Sequence, residues 1–371
     1  MSKIVLQNID KFYGNNHVLK NLSLTIEDGD FMTLLGPSGC GKTTTLRVIS
    51  GLEKPQNGKM FIGDKEVINC DEAYYLEPGK RELNLVFQSY ALWPHMTVYD
   101  NIAFGLKIKK IKPDQIKKMV MNALTKMKIA EFKDRYPSEL SGGQQQRVAM
   151  ARAIASEAKL LLLDEPLSNL DAKLRIDMRA ELKRLHKELG TTIVYVTHDQ
   201  IEAMTMSTKI ALFKEGELTQ VAAPLDLYMN PATLMAADFI GNPRINFLEG
   251  KATRSGSQLI TTCSIGTFTF DASTLTDDAP TGDFDCVFGL RPEQIGIFTE
   301  PTDGAIEALV YADQPAGSET LVTLQRGPDE FLAKQIGIQQ YTINQKVWLR
   351  IDPNKFNIYD KKTEKLVKPV N

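Results

Sequence analysis

Between an apolar run at residues 31–35 and a helix-spaced segment carrying Leu46, Val48 and Ile49 lie Gly36, Pro37, Ser38, Gly39, Cys40, Gly41, Lys42, Thr43 and Thr44. They fit the spacing G-x-x-x-x-G-K-[ST], with Lys42 and Thr43 in the last two places. Strand, glycine-rich loop and helix in that order make a phosphate cradle. Glycines let backbone N–H groups turn inward, and the helix N-terminus adds positive potential where phosphates sit. On this reading Lys42 reaches the β and γ phosphates of a nucleotide and Thr43 ligates magnesium. A chance lysine in a glycine-rich turn would not account for the flanking strand and helix.

At 371 residues the chain is long enough for two domains, each with its own core. Its 44 Lys and Arg against 46 Asp and Glu leave no basic field of the kind that holds nucleic acid, so no nucleic-acid partner is expected. Cys40, Cys70, Cys263 and Cys286 are scattered without C-x-x-C pairs, which suggests neither a disulfide framework nor a zinc site and fits a reducing cytosol. The N-terminal residues read as lacking a signal peptide, and no run approaches the roughly 18 apolar residues of a membrane span. Any membrane role is therefore expected to be peripheral.

Residues 4–9 alternate as a strand, residues 11–14 read as a turn, and residues 22–26 as a second strand. Tyr13, just ahead of the phosphate loop, either stacks on adenine or is an ordinary core or surface tyrosine. Beyond the first helix, residues 58–67 read as a hairpin, residues 71–81 as a polar loop and residues 85–88 as a buried strand ending in an amide. Gln88 there can touch magnesium or the attacking water, although a lone glutamine is unremarkable. Tyr90, Leu92, Trp93, Pro94 and Met96 crowd an irregular stretch that either lines a docking surface or forms the underside of a helical lobe. Pro113 opens an amphipathic helix with Ile116, Val120, Ala123, Leu124 and Met127 on one face. A helical insertion is expected over about residues 89–158.

Leu140, Ser141, Gly142, Gly143 and Gln144 form a second unusual turn, with a helix expected over residues 145–154. Ser141 can cap it and the glycines expose N–H groups, making a second anion-binding helix start. Residues 160–163 are an unbroken apolar run, as in a parallel strand covered on both faces, and end at Asp164 and Glu165. Asp164 can hold magnesium through water, and Glu165 can polarise a water attacking the γ phosphate; a pair of acids at a strand end otherwise caps a helix. After a turn, a helix over residues 173–189 is expected to bury Leu174, Met178, Leu182, Leu185 and Leu189 before stopping at Gly190. Residues 193–196 read as another strand, with His198 just past its carboxyl end, where α/β sheets place ligands.

In this order residues 36–43, Gln88, residues 140–144, 160–165 and 168–171, and His198 resemble the ATPase subunit of an ABC transporter. The motif at residues 140–144 separates it from kinases, helicases and GTPases with similar phosphate loops. The resemblance implies an α/β phosphate-loop NTPase core over residues 1–235, with ATP and Mg2+ bound. It also implies a head-to-tail homodimer, in which Ser141, Gly142, Gly143 and Gln144 of one subunit close over ATP held by the other. It assigns Tyr13 to adenine, Thr43, Gln88 and Asp164 to the metal, and Glu165 to the role of general base. His198 is assigned to the γ phosphate, and Asp171 joins the nucleotide-binding residues. Gln145 stands where sugar-importer relatives usually carry arginine, which weakens the substrate reading rather than the ATPase reading.

Residues 196–205, 220–228, 239–247 and 289–293 narrow the resemblance to the maltose-type group of sugar-importer ATPases, which then covers nearly the whole chain. Past about residue 236, short alternating runs between glycine and proline turns make an all-β pattern, similar to the OB-like regulatory domain of that group over residues 236–371. Residues 71–84 depart from the shorter loop of the group and receive no function. What the resemblance implies is an ATP-hydrolysing subunit at the cytoplasmic face of the membrane. It would power carbohydrate import through permease subunits fed by an extracytoplasmic solute-binding protein, with a regulatory protein at the C-terminal domain. Polyamine, glycerol-phosphate or inorganic-anion import is the alternative. A soluble ABC ATPase of translation or repair usually carries two cassettes in one chain, and a nucleotide sensor would lack Glu165 or His198.

Overall fold

The computed structural model describes residues 2–370, which divide into two compact units, Met1–Pro224 and Leu225–Asn371. In the first unit, five parallel strands run in the order Lys209–Lys214, Phe31–Leu35, Thr192–Thr197, Leu160–Asp164 and Leu83–Val86, with Glu217–Ala222 antiparallel on one edge. Three of them, Phe31–Leu35, Leu160–Asp164 and Thr192–Thr197, are buried at every residue, so their runs are continuously apolar rather than alternating. Successive side chains still point to opposite faces. Leu161, Leu163, Ile193 and Tyr195 join the core of the helical layer, while Leu160, Leu162, Val194 and Val196 join that of the phosphate-loop helix Lys42–Ser50. The helical layer comprises Val98–Ile108, Pro113–Lys126, Gly142–Ala155 and Ala172–Leu189. The α/β core with its helical insertion is as expected.

A second, antiparallel sheet runs Asn16–Ile26, Ile4–Tyr13, Asn57–Ile62, Lys65–Asn69, Tyr74–Tyr75. Residues 11–13, expected as a turn, are the end of the strand Ile4–Tyr13 and pair as far as Tyr13 with Asn16. Lys11 obscured this, because a charge looks out of place in a buried strand. Its ammonium is satisfied by Glu53 at 2.9 Å and by the Lys54 carbonyl at 2.8 Å. The loop at residues 71–84 has a structural use. Buried Arg81 donates to the Val48 and Ile49 carbonyls, both at 2.8 Å, and so takes up acceptors left over at the C-terminus of the phosphate-loop helix. Its third bond, to the Leu76 carbonyl at 2.9 Å, ties the loop to the same point.

Among the described residues the second unit is all-β apart from two short α-helices, Pro224–Met229, which straddles the division, and Leu234–Phe239, and three single-turn 3-10 helices, Ala272–Thr274, Pro292–Gln294 and Pro353–Lys355. One antiparallel sheet has six strands and the other five, and Phe288, Val310, Leu324, Phe331 and Phe356 share their common core. The division falls after Pro224 rather than near residue 235. The segment that follows is held by the second unit: Arg291, buried, donates to the Tyr228 carbonyl at 2.8 Å, to the Ala237 carbonyl at 3.3 Å and to the Ile240 carbonyl. Asn357 adds a bond to the Met229 carbonyl at 2.9 Å. No helix among the described residues is long and apolar enough to cross a membrane. Because each unit has its own core, a chain ending at Pro224 is expected to unfold in one cooperative thermal transition by calorimetry. A broad, non-cooperative melt would show that the first unit is incomplete.

Candidate nucleotide site

The phosphate loop is built by close packing. A Cβ on Gly36 would lie 2.4 Å from the Phe213 carbonyl oxygen and 2.8 Å from Cys40 Sγ. Gly41, which precedes the helix Lys42–Ser50, is left-handed at φ 100°. Lys42 is thereby the first helical residue. Lys42 is only 5% exposed, and its ammonium donates to the Gly36 and Pro37 carbonyls, each at 2.7 Å, with Cys40 Sγ at 3.6 Å. Among the described residues no carboxylate lies within 4.0 Å of it, so this buried cation rests on neutral acceptors alone. Pro37, Ser38 and Gly39 are exposed around it, and burial pushes the Cys40 thiol up despite the lysine. Tyr13 is 44% exposed, which excludes the core reading; partial burial and Glu53 push its hydroxyl up, while Thr44 in the same helix opposes this.

Thr43 Oγ1 donates to Asp164 Oδ1 at 3.0 Å, joining the phosphate loop to the end of the strand Leu160–Asp164. Desolvation pushes the buried Asp164 carboxyl up, while the bond from Thr43 and the charges of Arg47 and Lys42 oppose it. One hydroxyl and one desolvated carboxylate fit a magnesium ion shared with phosphate oxygens and water. The described residues hold no group of three or more His, Cys, Asp or Glu side chains that would form an all-protein cage. Glu165 is left-handed at φ 43° without being glycine, and its N–H donates to the Val196 carbonyl at 3.1 Å. Such a conformation costs of order 1–3 kcal/mol and is held only where its surroundings impose it. It carries Glu165 Oε2 to 3.3 Å from His198 Nδ1.

Gln88 does not end a strand: Leu83–Val86 stops two residues earlier, Phe87 is exposed, and Gln88 lies in the following turn. From there its Nε2 donates to Ser168 Oγ at 3.3 Å, and Ser168 Oγ donates to the Glu165 carbonyl at 2.9 Å. The structure thus brings together Thr43 with Asp164, Glu165 with His198, and Gln88 with the turn after Glu165. Asp171 caps the helix Ala172–Leu189, accepting from Leu174 N at 2.9 Å. That helix therefore starts one residue before the expected position.

The second cradle stands apart, since no hydrogen bond among the described residues links residues 141–144 to the phosphate loop. Its helix begins at Gly142, three residues before the expected start, because Ser141 is the N-cap. Ser141 Oγ accepts from Gln144 N at 3.4 Å and Gln144 Oε1 from Ser141 N at 2.9 Å, a reciprocal capping box. The glycines differ in kind. A Cβ on Gly143 would strike Leu174 Cδ2 at 2.1 Å, whereas nothing lies within 4 Å of one on Gly142. Gln145 turns back to the Pro137 and Leu140 carbonyls at 3.0 and 3.3 Å.

Two residues that sequence reasoning passed over shape the aromatic stretch after Gln88. Asn101, fully buried, donates to the carbonyls of Trp93, Met96 and Thr97 and accepts from Trp93 N. Arg152 donates to the Tyr90 and Ala91 carbonyls at 2.7 and 2.8 Å and lies over the Trp93 ring. Of the two expected readings, Tyr90 bears out the underside of the helical lobe, while Trp93 and Phe104 line an open cavity of about 200 Å³. Arg152, set among Val148, Ala149, Met150, Ala151, Ala153 and Ile154, was a signal in the sequence; Asn101 had none.

The profile of the family described as ABC transporter matches residues 19–168. The trehalose/maltose import ATP-binding protein MalK of Thermococcus litoralis is 42% identical over 376 residues, covering 99% of this chain and 100% of that protein. The chain belongs to the ATP-binding subunits of ABC transporters. The sn-glycerol-3-phosphate import ATP-binding protein UgpC of Brucella abortus is 48% identical over 330 residues, 87% of each chain. A solved dimeric ATP-binding cassette in a post-hydrolysis state, bound to ADP and Pi, is 34% identical with a TM-score of 0.53, covering 60% of this chain and 98% of that one.

The ABC cassette's two signature glycines are expected to separate by substitution. Gly143→Ala should destabilise the chain by about 1–3 kcal/mol through overpacking, with part of the loss recovered in Gly143→Ala with Leu174→Ala. Gly142→Ala should cost nothing measurable. Thermal melts of the three variants decide it, and equal losses at both glycines would contradict the packing described.

Proposed function

We propose that this chain is the ATPase of a carbohydrate importer, working at the cytoplasmic face of the membrane against a permease that an extracytoplasmic binding protein supplies. The likeness to the trehalose/maltose import protein along 99% of this chain, the all-β unit included, is the observation that carries the substrate class. The glycerol-phosphate import relative, at higher identity over a shorter span, keeps a phosphorylated polyol as the second reading. The all-β unit is the place for a regulatory partner.

In this reading Lys42 and the N-terminus of its helix receive the β and γ phosphates, which give the buried ammonium its missing counter-charge. The exposed Tyr13 ring offers adenine a face. Thr43 and Asp164, with Gln88, would hold magnesium, which would neutralise charge on the phosphates. Glu165 takes the proton of the attacking water, and His198, 3.3 Å from it, orients that carboxylate and meets the γ phosphate. The N–H groups of Gly142 and Gly143, first in their helix and without helical partners, serve the γ phosphate of ATP on a second copy of the chain. Open space at Gly142 supports this, since nothing in its own chain demands glycine there.

Glu165→Gln is expected to cut steady-state ATP hydrolysis by about a hundredfold or more while ATP affinity by titration stays within about twofold, as for loss of a general base. Hydrolysis near the parental rate would overturn the assignment.

A further inference from the structure

Behind the pair Glu165 and His198 lies a charged cluster that none of the roles above uses. Arg175, in the first turn of the helix Ala172–Leu189, donates through Nη2 to the Leu170 carbonyl at 3.1 Å and through Nη1 to Asp199 Oδ2 at 3.4 Å. Its Nε lies 4.0 Å from Glu202 Oε1 and has no hydrogen-bond partner among the described residues. Glu202 is 3% exposed. It accepts from the Tyr195 hydroxyl at 2.8 Å and from Thr197 Oγ1 at 2.7 Å. Burial holds its carboxyl above the usual range, Asp199 adds to that, and Arg175 opposes it.

The positions of these groups matter more than their number. Tyr195 and Thr197 lie on the strand Thr192–Thr197, and the next residue is His198. Thr197 Oγ1 accepts from Asp199 N at 3.0 Å, and Asp199 caps the helix Gln200–Met206 by accepting from Ile201 N and Glu202 N. Thr197, before His198, is therefore fixed to the buried Glu202 carboxylate, and Asp199, after it, to the Thr197 hydroxyl and the Glu202 backbone N–H. On the opposite side, Leu170 ends the turn that starts at Glu165, and Ser168 N in that turn donates to the Glu165 carbonyl at 3.3 Å. A buried carboxylate needs a nearby cation to stay ionised at acceptable cost. Here that cation is the one that also grips the Glu165 turn.

We infer that Arg175 is a positioning residue for hydrolysis: it brackets the turn after Glu165 to the segment around His198 and so fixes the separation of the two side chains, resting on the hydrolysis roles given to them above. It acts through the Leu170 carbonyl and Asp199. A guanidinium suits the task because its planar fork bonds the Leu170 carbonyl and Asp199 through separate nitrogens while its Nε faces Glu202 at 4.0 Å.

The full-length chain is assayed for steady-state hydrolysis and, separately, for ATP affinity by titration. Arg175→Gln is expected to lower kcat roughly 10- to 100-fold, the scale set by misplacing reacting groups by about an ångström, with KM and ATP affinity within about twofold. Arg175→Lys should recover only part of the loss. Glu202→Gln removes the carboxylate that Arg175→Gln strands, so the double variant should lose less than the product of the two single losses. It also keeps the comparison alive if Arg175→Gln alone fails to fold, and its kcat must still fall with affinity retained.

A parental kcat in Arg175→Gln, or in the double variant, overturns the inference. So does a fall in kcat matched by equal losses of ATP affinity and thermal stability, which would mark a purely structural role. Glu165→Gln, run alongside, separates the two levels. If it retains hydrolysis, the site assignment fails; if it is inactive while Arg175→Gln is not, only the positioning role fails.

Discussion

A buried ammonium with no carboxylate beside it among the described residues is the constraint on which the rest of the first unit turns. Lys42 has given up water for the Gly36 and Pro37 carbonyls, each at 2.7 Å. An ammonium kept that far from solvent costs several kcal/mol unless something compensates it. Hydrogen bonds to a charged group return about 1.5–3 kcal/mol each, so the two carbonyls compensate in part and an arriving phosphate compensates fully. This works only if the loop cannot relax away from the lysine. The Phe213 backbone against Gly36 prevents that at one end of the helix, and Arg81 on the Val48 and Ile49 carbonyls prevents it at the other. The loop at residues 71–84 therefore earns its place in the fold as a clamp.

The same unit holds strain where the chemistry is proposed. Glu165 sits in a left-handed conformation that a side chain of its size seldom adopts, pinned by its N–H on the Val196 carbonyl and by Ser168 on its own carbonyl. Val196 precedes Thr197 and His198, so the bond that imposes the strain also couples the strand ends that carry the two side chains. Earlier in the chain, the capping box at Ser141 and Gln144 uses the third N–H of its helix internally and leaves those of Gly142 and Gly143 without a partner among the described residues. One of those glycines is dictated by Leu174, and the other by nothing within its own chain.

Much of this was legible in the sequence wherever a single strong periodicity or spacing applied. The phosphate loop, the runs at residues 31–35 and 160–163, the amphipathic helix from Pro113 and the all-β pattern near the C-terminus follow directly from residue type. Errors fell at ends of elements, where the deciding partner is distant in sequence. Lys11 reads as a turn residue until Glu53 is placed beside it. The helix after Ser141 starts earlier than expected because glycines, weak helix formers, are tolerated once a capping box pays the entropy of the first turn. The division after Pro224 depends on Arg291, and the cluster of Arg175 with Glu202 on an approach of two helices, neither of which local patterning encodes.

The claim that two copies of this chain complete each other's nucleotide site is tested most directly by sedimentation of the chain ending at Pro224 and carrying Glu165→Gln, with and without ATP. ATP should convert a monomer to a dimer. With Gly142→Asp added, the chain should remain a monomer that still binds ATP, because a carboxylate would then meet the γ phosphate at a cost of several kcal/mol. A carboxylate at the start of that helix is otherwise favourable to the helix itself, so the fold is spared. A Gly142→Asp chain that dimerises normally, or a Glu165→Gln chain that stays monomeric at saturating ATP, would contradict the shared site.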